Sequence, residues 1–166
     1  MTNSILASKL SDYMLIAKLA KIVWQDHYIP IIGEAQVTYM LKKFQSVEAI
    51  IKQIEDGFEY YVLNFEDIPV GYFSIIKKGD ALFLSKIYVL KEYRGKQIGK
   101  VAMQFIEDRA KALYLNKIRL TVNKNNNAKH FYERIGFINK GSIVMDIGNG
   151  FVMDDYLMMK SLQKNN

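Results

Sequence analysis

The order of periodicities along the chain predicts a mixed α/β domain of the α+β kind, with helices packed around one mostly antiparallel sheet. Three observations predict it. Apolar residues first recur at helical spacing over residues 12–57. They then switch to short strand-like runs joined by turn signals over residues 59–90. A further helix, strand and helix follow, and the chain ends on a pair of strands. At 166 residues, one domain spanning 1–166 is expected, long enough to bury a core.

Ile16, Leu19, Ala20, Val23 and Trp24 form an apolar stripe, so a helix is predicted over Asp12 to His27, with Ser11 as its N-cap. Pro30 and Gly33 then break the chain. Residues 34–44 read as a second helix. Ser46 caps a third, VEAIIKQIED, which stops at Gly57. EYYVLNF and VGYFSIIK, separated by EDIP, read as a hairpin, and ALFLSKIYVL is the next strand. Ile98, Val101, Ala102, Phe105, Ile106, Ala110 and Leu113 make the strongest helical stripe of the chain. KIRLTV is a short strand, and NNAKHFYERIGF is a short helix with Gly136 at its left-handed end. SIVMDI and FVMDDYLMM flank GNG as a second hairpin.

Composition narrows the chemistry. The chain has no cysteine, which excludes disulfides, thiolate metal sites and cysteine nucleophiles. Two histidines, His27 and His130, are too few for a histidine-rich metal site. No apolar run approaches the ~20 residues of a bilayer span, and the N-terminus MTNSILASKLSD lacks the pattern of a signal peptide. A cytoplasmic location is therefore expected. The net charge of +6 is uneven: residues 1–90 carry 9 Lys/Arg against 10 Asp/Glu, and residues 91–166 carry 14 against 7. A basic half attracts anions, whether nucleic acid or a phosphorylated small molecule, and it also serves as a solvated surface.

The segment YVLKEYRGKQIGKVAMQFIE joins a strand to a helix through a basic turn, Arg94 to Lys100. Such a turn leaves backbone N–H groups without partners at the positive end of a helix dipole, which favours an anion. Gly95 and Gly99 allow unusual backbone angles, and Arg94, Lys96 and Lys100 add charge. The turn is not a nucleotide P-loop: its two glycines have three residues between them, and Val101 stands where a hydroxyl residue is required. A dinucleotide fingerprint fails as well.

Arg94, Gly95, Lys96, Gln97, Ile98 and Gly99 resemble motif A of the GNAT superfamily of acyl-CoA-dependent N-acetyltransferases. That motif reads Gln or Arg, two residues, Gly, one residue, then Gly or Ala. Gln97 departs from the glycine usual at its position. VNKNNNAKHFYERIGF resembles motif B, through Asn125, Ala128, Phe131, Tyr132, Gly136 and Phe137. The resemblance spans residues 4–162 and implies a sheet of six to seven strands with helices on both faces. It also implies that the strands before and after the motif A helix splay apart.

The same resemblance implies acetyl-CoA as cofactor, with its pyrophosphate on Arg94, Gly95, Lys96, Gln97, Ile98, Gly99 and Lys100. Its arm would lie along Tyr88, Val89 and Leu90, where a backbone N–H would polarise the thioester carbonyl. Asn125, Ala128 and Phe131 fall at cofactor-binding positions. Tyr132 falls at that of the general acid, since a phenol stays protonated at neutral pH. Asn125 reads equally well as a loop or capping residue. Some family members carry an acidic base on the strand before motif A; this chain has Lys86 there. Glu34, Asp154, Asp155 or a water relay are the alternatives. Tyr28 and Glu34, in an aromatic-rich segment, are candidates for binding a cationic amine.

The expected activity is acetyl transfer to a primary amine of a small molecule, by direct attack in a ternary complex. A weaker resemblance to bacterial polyamine acetyltransferases points to a polyamine. A catalytically idle acyl-CoA-binding module and an acetyltransferase acting on a protein or peptide amine are the alternatives. No nucleic-acid motif supports that partner class, and no membrane partner is expected. A homodimer through the final strands is left open.

Overall fold

The computed structural model describes residues 1–162. Its strands are β1 Thr2–Leu6, β2 Glu59–Phe65, β3 Ile68–Lys78, β4 Ala81–Val89, β5 Lys117–Asn123, β6 Ile138–Gly148 and β7 Phe151–Ser161. The helices are α1 Leu10–His27, α2 Ile29–Ile32, α3 Glu34–Phe44, α4 Val47–Glu55, α5 Ile98–Ala112 and α6 Ala128–Arg134. The strands form one seven-stranded mixed sheet in the order β1-β2-β3-β4-β5-β7-β6. The expected fold class holds. Among the described residues, the chain divides into two compact units, the first comprising Met1–Ile76 and Lys86–Ile106, the second Lys77–Ser85 and residues 107–162.

In the first unit, the predicted stripe of α1 is wholly buried: Ile16, Leu19, Ala20, Val23 and Trp24. β1, β2 and β3 pair antiparallel. Strand alternation puts Tyr60, Tyr72 and Ser74 on one face, where Tyr60 and Tyr72 hydrogen-bond to Gln53 of α4 and to Gln45. Tyr61 and Phe73 lie on the other face and stack at 4.9 Å, with Phe105 of α5 against both. The β2–β3 hairpin turns on Glu66 and Asp67, at φ 49° and 65°. That is a tight two-residue turn made without glycine.

In the second unit, β4 and β5 pair in parallel at Leu82↔Ile118 and Phe83↔Arg119. β7 lies antiparallel between β5 and β6. Ile118, Leu120 and Val122 of β5 are buried at alternate positions. The predicted turn Asn149–Gly150 has both residues at positive φ, 55° and 77°. Gly136, at φ 106°, ends α6 as expected.

Three local expectations are corrected. β1 was not predicted; it is an edge strand with Asn3, Ile5 and Leu6 exposed, so backbone pairing rather than an apolar pattern creates it. The cap of α1 is Lys9, not Ser11, because the Asp12 carboxylate accepts from the Ser8 and Lys9 amides at 2.9 and 3.3 Å and draws the start upstream. Pro30 does not end helical structure but sits in the first turn of α2, where its missing N–H is not needed.

Candidate functional site

In the first unit, β4 ends at Val89, one 3-10 turn follows over Lys91–Tyr93, and α5 starts at Ile98. The Val101 amide donates to the Gln97 carbonyl at 3.1 Å, which makes Gln97 the N-cap of α5. Among the described residues, the amides from Gly95 to Lys100 have no backbone acceptor. Gly95 takes φ 79° and Gln97 takes φ 66°. Gly99 lies within α5, so the second left-handed residue of the turn is Gln97, not a glycine. Arg94, Lys96 and Lys100 are exposed, and Ile98, only 2% exposed, pins the helix start to the core. The Lys96 ammonium stands 5.8 Å from the Phe65 ring centroid. Amides without backbone acceptors, two left-handed residues and three exposed cations fit a polyanion.

The end of β4 is fixed on two sides. The Leu90 amide donates to the Val70 carbonyl at 2.8 Å, so it is committed to β3. Strand alternation turns the amide of Val89 the other way. The half-buried ring of Tyr88 meets Tyr72 at 5.4 Å, Trp24 at 5.7 Å and Tyr28 at 6.0 Å, and Tyr28 stacks on Trp24 at 4.3 Å. Tyr28, a substrate candidate, is thus brought to Tyr88. Glu34 is exposed in the first turn of α3.

Lys86 falls on the buried phase of β4, after Leu82 and Leu84. Its ammonium donates to the Phe44 carbonyl at 2.6 Å, Gln53 Oε1 at 2.9 Å and the Tyr60 hydroxyl. Burial brings its pKa down to about 7. The same burial holds the Tyr60 phenol above its ordinary value. The position was noticeable in sequence as a lysine in an apolar phase. Its partners, from α3, α4 and β2, were not.

In the second unit, Tyr132 of α6 is 8% exposed and packs against Phe131 and Phe137, at 5.6 and 5.7 Å between centroids. Ala128 opens α6. Asn125 is exposed, and its amide donates to Asn123 Oδ1 at 2.9 Å. The asparagine buried in this turn is Asn126, whose Oδ1 accepts from the Ala128 amide at 3.0 Å. Sequence reasoning did not separate it from its neighbours.

Asp154 and Asp155 are adjacent on β7 but differ in setting. Asp154 is exposed and pairs with Lys124 at 2.9 Å. Asp155 is 2% exposed and opposite Asn123 in register. Burial pushes its pKa up to about 6, against the opposing hydrogen bond from the Thr121 side chain. A carboxyl group tuned to that range can take a proton at neutral pH.

The family model described as acetyltransferase (GNAT) domain matches residues 29–154. No curated protein matches the chain. Among solved structures, the PaiA N-acetyltransferase from Thermoplasma acidophilum in complex with coenzyme A is similar at 20% identity, covering 97% of this chain and 99% of that one, with a TM-score of 0.81. A GNAT-family acetyltransferase from Staphylococcus aureus is similar at 19% identity, over 98% and 100%, with a TM-score of 0.71. A spermidine N-acetyltransferase chimera from Vibrio cholerae and hSSAT is similar at 22% identity, over 96% and 95%, also with a TM-score of 0.71. At these identities the likeness is one of fold.

Proposed function

The chain belongs to the GNAT acetyltransferase family, and from that premise we propose that it transfers acetyl from acetyl-CoA to a primary amine of a small molecule by direct attack. The observation that carries this reading is the turn from Arg94 to Lys100: the Gly95–Lys100 amides without backbone acceptors, two left-handed residues and three exposed cations suit the phosphates of coenzyme A. Acetyl-CoA, when bound, supplies an acyl group on a good thiol leaving group. The Gly95–Lys100 amides would hold its phosphates, and the Val89 amide, turned away from β3, would polarise the carbonyl. Asp155 takes a proton from the attacking nitrogen. The Tyr132 phenol would supply the proton that a departing sulfur needs. Asn125, Ala128 and Phe131 complete the cofactor contacts.

Tyr28 and the rings around it offer an apolar and cation-tolerant surface for the acceptor. The likeness to a spermidine acetyltransferase chimera supports a polyamine as the first acceptor to try. No helix among the described residues is long and apolar enough to cross a membrane, and a cytoplasmic location goes with the reading. So does a homodimer through β6, an outer strand with Ile138 and Val144 exposed, which light scattering would test.

Isothermal titration with acetyl-CoA tests the cofactor, and a thiol-release screen over polyamines, amino sugars, amino acids and peptide N-termini tests the acceptor. Binding is expected, and Arg94→Ala weakens it. Tyr132→Phe is expected to lower turnover by roughly 10²-fold while affinity holds. A protein that binds no acetyl-CoA would sink the reading.

A further inference from the structure

We infer that Gly71 is a positioning residue for acyl transfer: its bare α-carbon lets the Tyr88 carbonyl settle against β3, and this sets the backbone of Tyr88 to Leu90. The inference rests on the reading above, in which that segment faces the thioester. A Cβ built on Gly71 would stand 2.2 Å from the Tyr88 carbonyl oxygen, 3.1 Å from Val89 Cα and 3.2 Å from the Tyr88 carbonyl carbon. All three are backbone atoms, so no side-chain rotation relieves the contact. The Gly71 φ angle lies outside the left-handed region. Glycine is therefore needed here for space and not for its conformational freedom.

The surrounding strand is built for the same approach. Leu63 pairs with Gly71 and Asn64 pairs with Pro69, so Val70 is an extra residue on β3 without a counterpart on β2. That bulge presents the Val70 carbonyl, which takes the Leu90 amide at 2.8 Å. The bulge and the missing side chain thus act on neighbouring residues of β4, one holding Leu90 and the other admitting Tyr88. The ring of Tyr88 is held separately, by Tyr72 and Trp24. The carbonyl and amide directions along Tyr88–Leu90 follow from these constraints. A methyl group at residue 71 would push them off by more than the tolerance of a reacting centre.

Kinetics of Gly71→Ala in the full chain, beside a core control of equal thermal destabilisation such as Ile50→Ala, test this. Gly71→Ala is expected to lower kcat by roughly 10–100-fold, with acetyl-CoA affinity by calorimetry near that of the parent. The control should keep its turnover. If the single variant is too unstable to purify, the same comparison is made in a Tyr114→Gly background, where the loss of kcat should persist. In the unmodified protein, the amide NMR shifts of Tyr88–Leu90 should differ between the acetyl-CoA and coenzyme A complexes more than those of Gly95–Lys100. A Gly71→Ala enzyme no slower than the control, or Tyr88–Leu90 shifts blind to the acetyl group, would overturn the inference. Failure to bind either cofactor would overturn the proposed function, and this inference with it.

Discussion

Lys86 Nζ lies 2.9 Å from Gln53 Oε1, and among the described residues no carboxylate shares that ammonium. A buried lysine with only neutral acceptors is held against its own desolvation.

The consequence is a pH-dependent stability with a defined sign. Burial lowers the Lys86 pKa from 10.5 to about 7 in the folded chain. Below about pH 7 both states carry the proton, and the folded state bears the full cost of the buried charge. Between about 7 and 10 the unfolded state binds a proton that the folded state does not, so unfolding free energy rises with pH. The limiting slope for one such group is about 1.4 kcal/mol per pH unit. Lys86→Met should remove this contribution, so that the stability curves of parent and variant converge or cross between pH 7 and 9. Urea titrations at pH 6, 7, 8 and 9 measure it, and parallel curves would show that Lys86 stays charged throughout.

Gln97 holds a left-handed angle, φ 66°, at the N-cap of α5, in the turn proposed for phosphates. A non-glycine residue there carries about 1 kcal/mol of backbone strain. Gln97→Gly is therefore expected to raise stability by up to about 1 kcal/mol and leave acetyl-CoA affinity intact, since the contact is made by the backbone. Gln97→Val, with a β-branched side chain, should lose stability and weaken binding together. Thermal melts and titration calorimetry on the pair decide it. Loss of affinity in Gln97→Gly would mean that the glutamine side chain itself contacts the cofactor.

The contrast between Gln97 and Gly99 also marks how far the sequence could be read. The motif located the turn, but its letters could not say which residue would take the left-handed angle once α5 started at Ile98. Strong periodicity made α1, α5 and the strands β2 to β4 legible, because burial of a stripe or of alternate residues is a local pattern. β1 was illegible because an edge strand forms through backbone pairing and leaves no apolar record. Asn125 and Asn126 are equivalent as letters, and only the fold of the turn buries the second. The Lys86 network joins residues 44, 53, 60 and 86, so its acceptors exist only after the chain has folded. Asp155 was legible as one of two adjacent acids, but its burial depends on register with β5 and β6.

Tyr114 offers a stability test remote from the proposed chemistry. It is 97% exposed and takes φ 61° just past the end of α5, where the Leu115 amide returns to the Ala110 carbonyl at 2.9 Å. This is the helix end that glycine usually occupies. Tyr114→Gly removes the strain and forfeits almost no packing, so a gain of about 0.5–1 kcal/mol is expected. Tyr114→Ala should gain much less, because alanine keeps the Cβ. Chemical denaturation of both variants measures the difference, and equal stabilities would assign any gain to loss of the ring alone.

Asp155 supplies the sharpest test of the proposed proton acceptor, because it is buried while its neighbour Asp154 is exposed. Burial raises its pKa to about 6, whereas Asp154 is exposed and paired with Lys124. A base with that value is protonated and idle at low pH, so kcat/KM should rise with an apparent pKa near about 6 and level off above it. Asp155→Asn should abolish that limb and lower turnover, and Asp154→Asn should leave the limb in place. The stability consequence follows from the same burial and runs in the opposite direction with pH. Below the unfolded carboxyl pKa, about 3.9, both states are protonated and Asp155 costs the fold nothing. As pH rises from there through about 6, the folded state must either hold a proton or bury a charge, and the penalty grows to its full value. Asp155→Asn should therefore gain stability relative to the parent above pH 6 and show no such gain near pH 3.5. A pH–rate profile unchanged in Asp155→Asn would remove this residue from the reaction. A stability difference independent of pH would show that its carboxyl titrates normally.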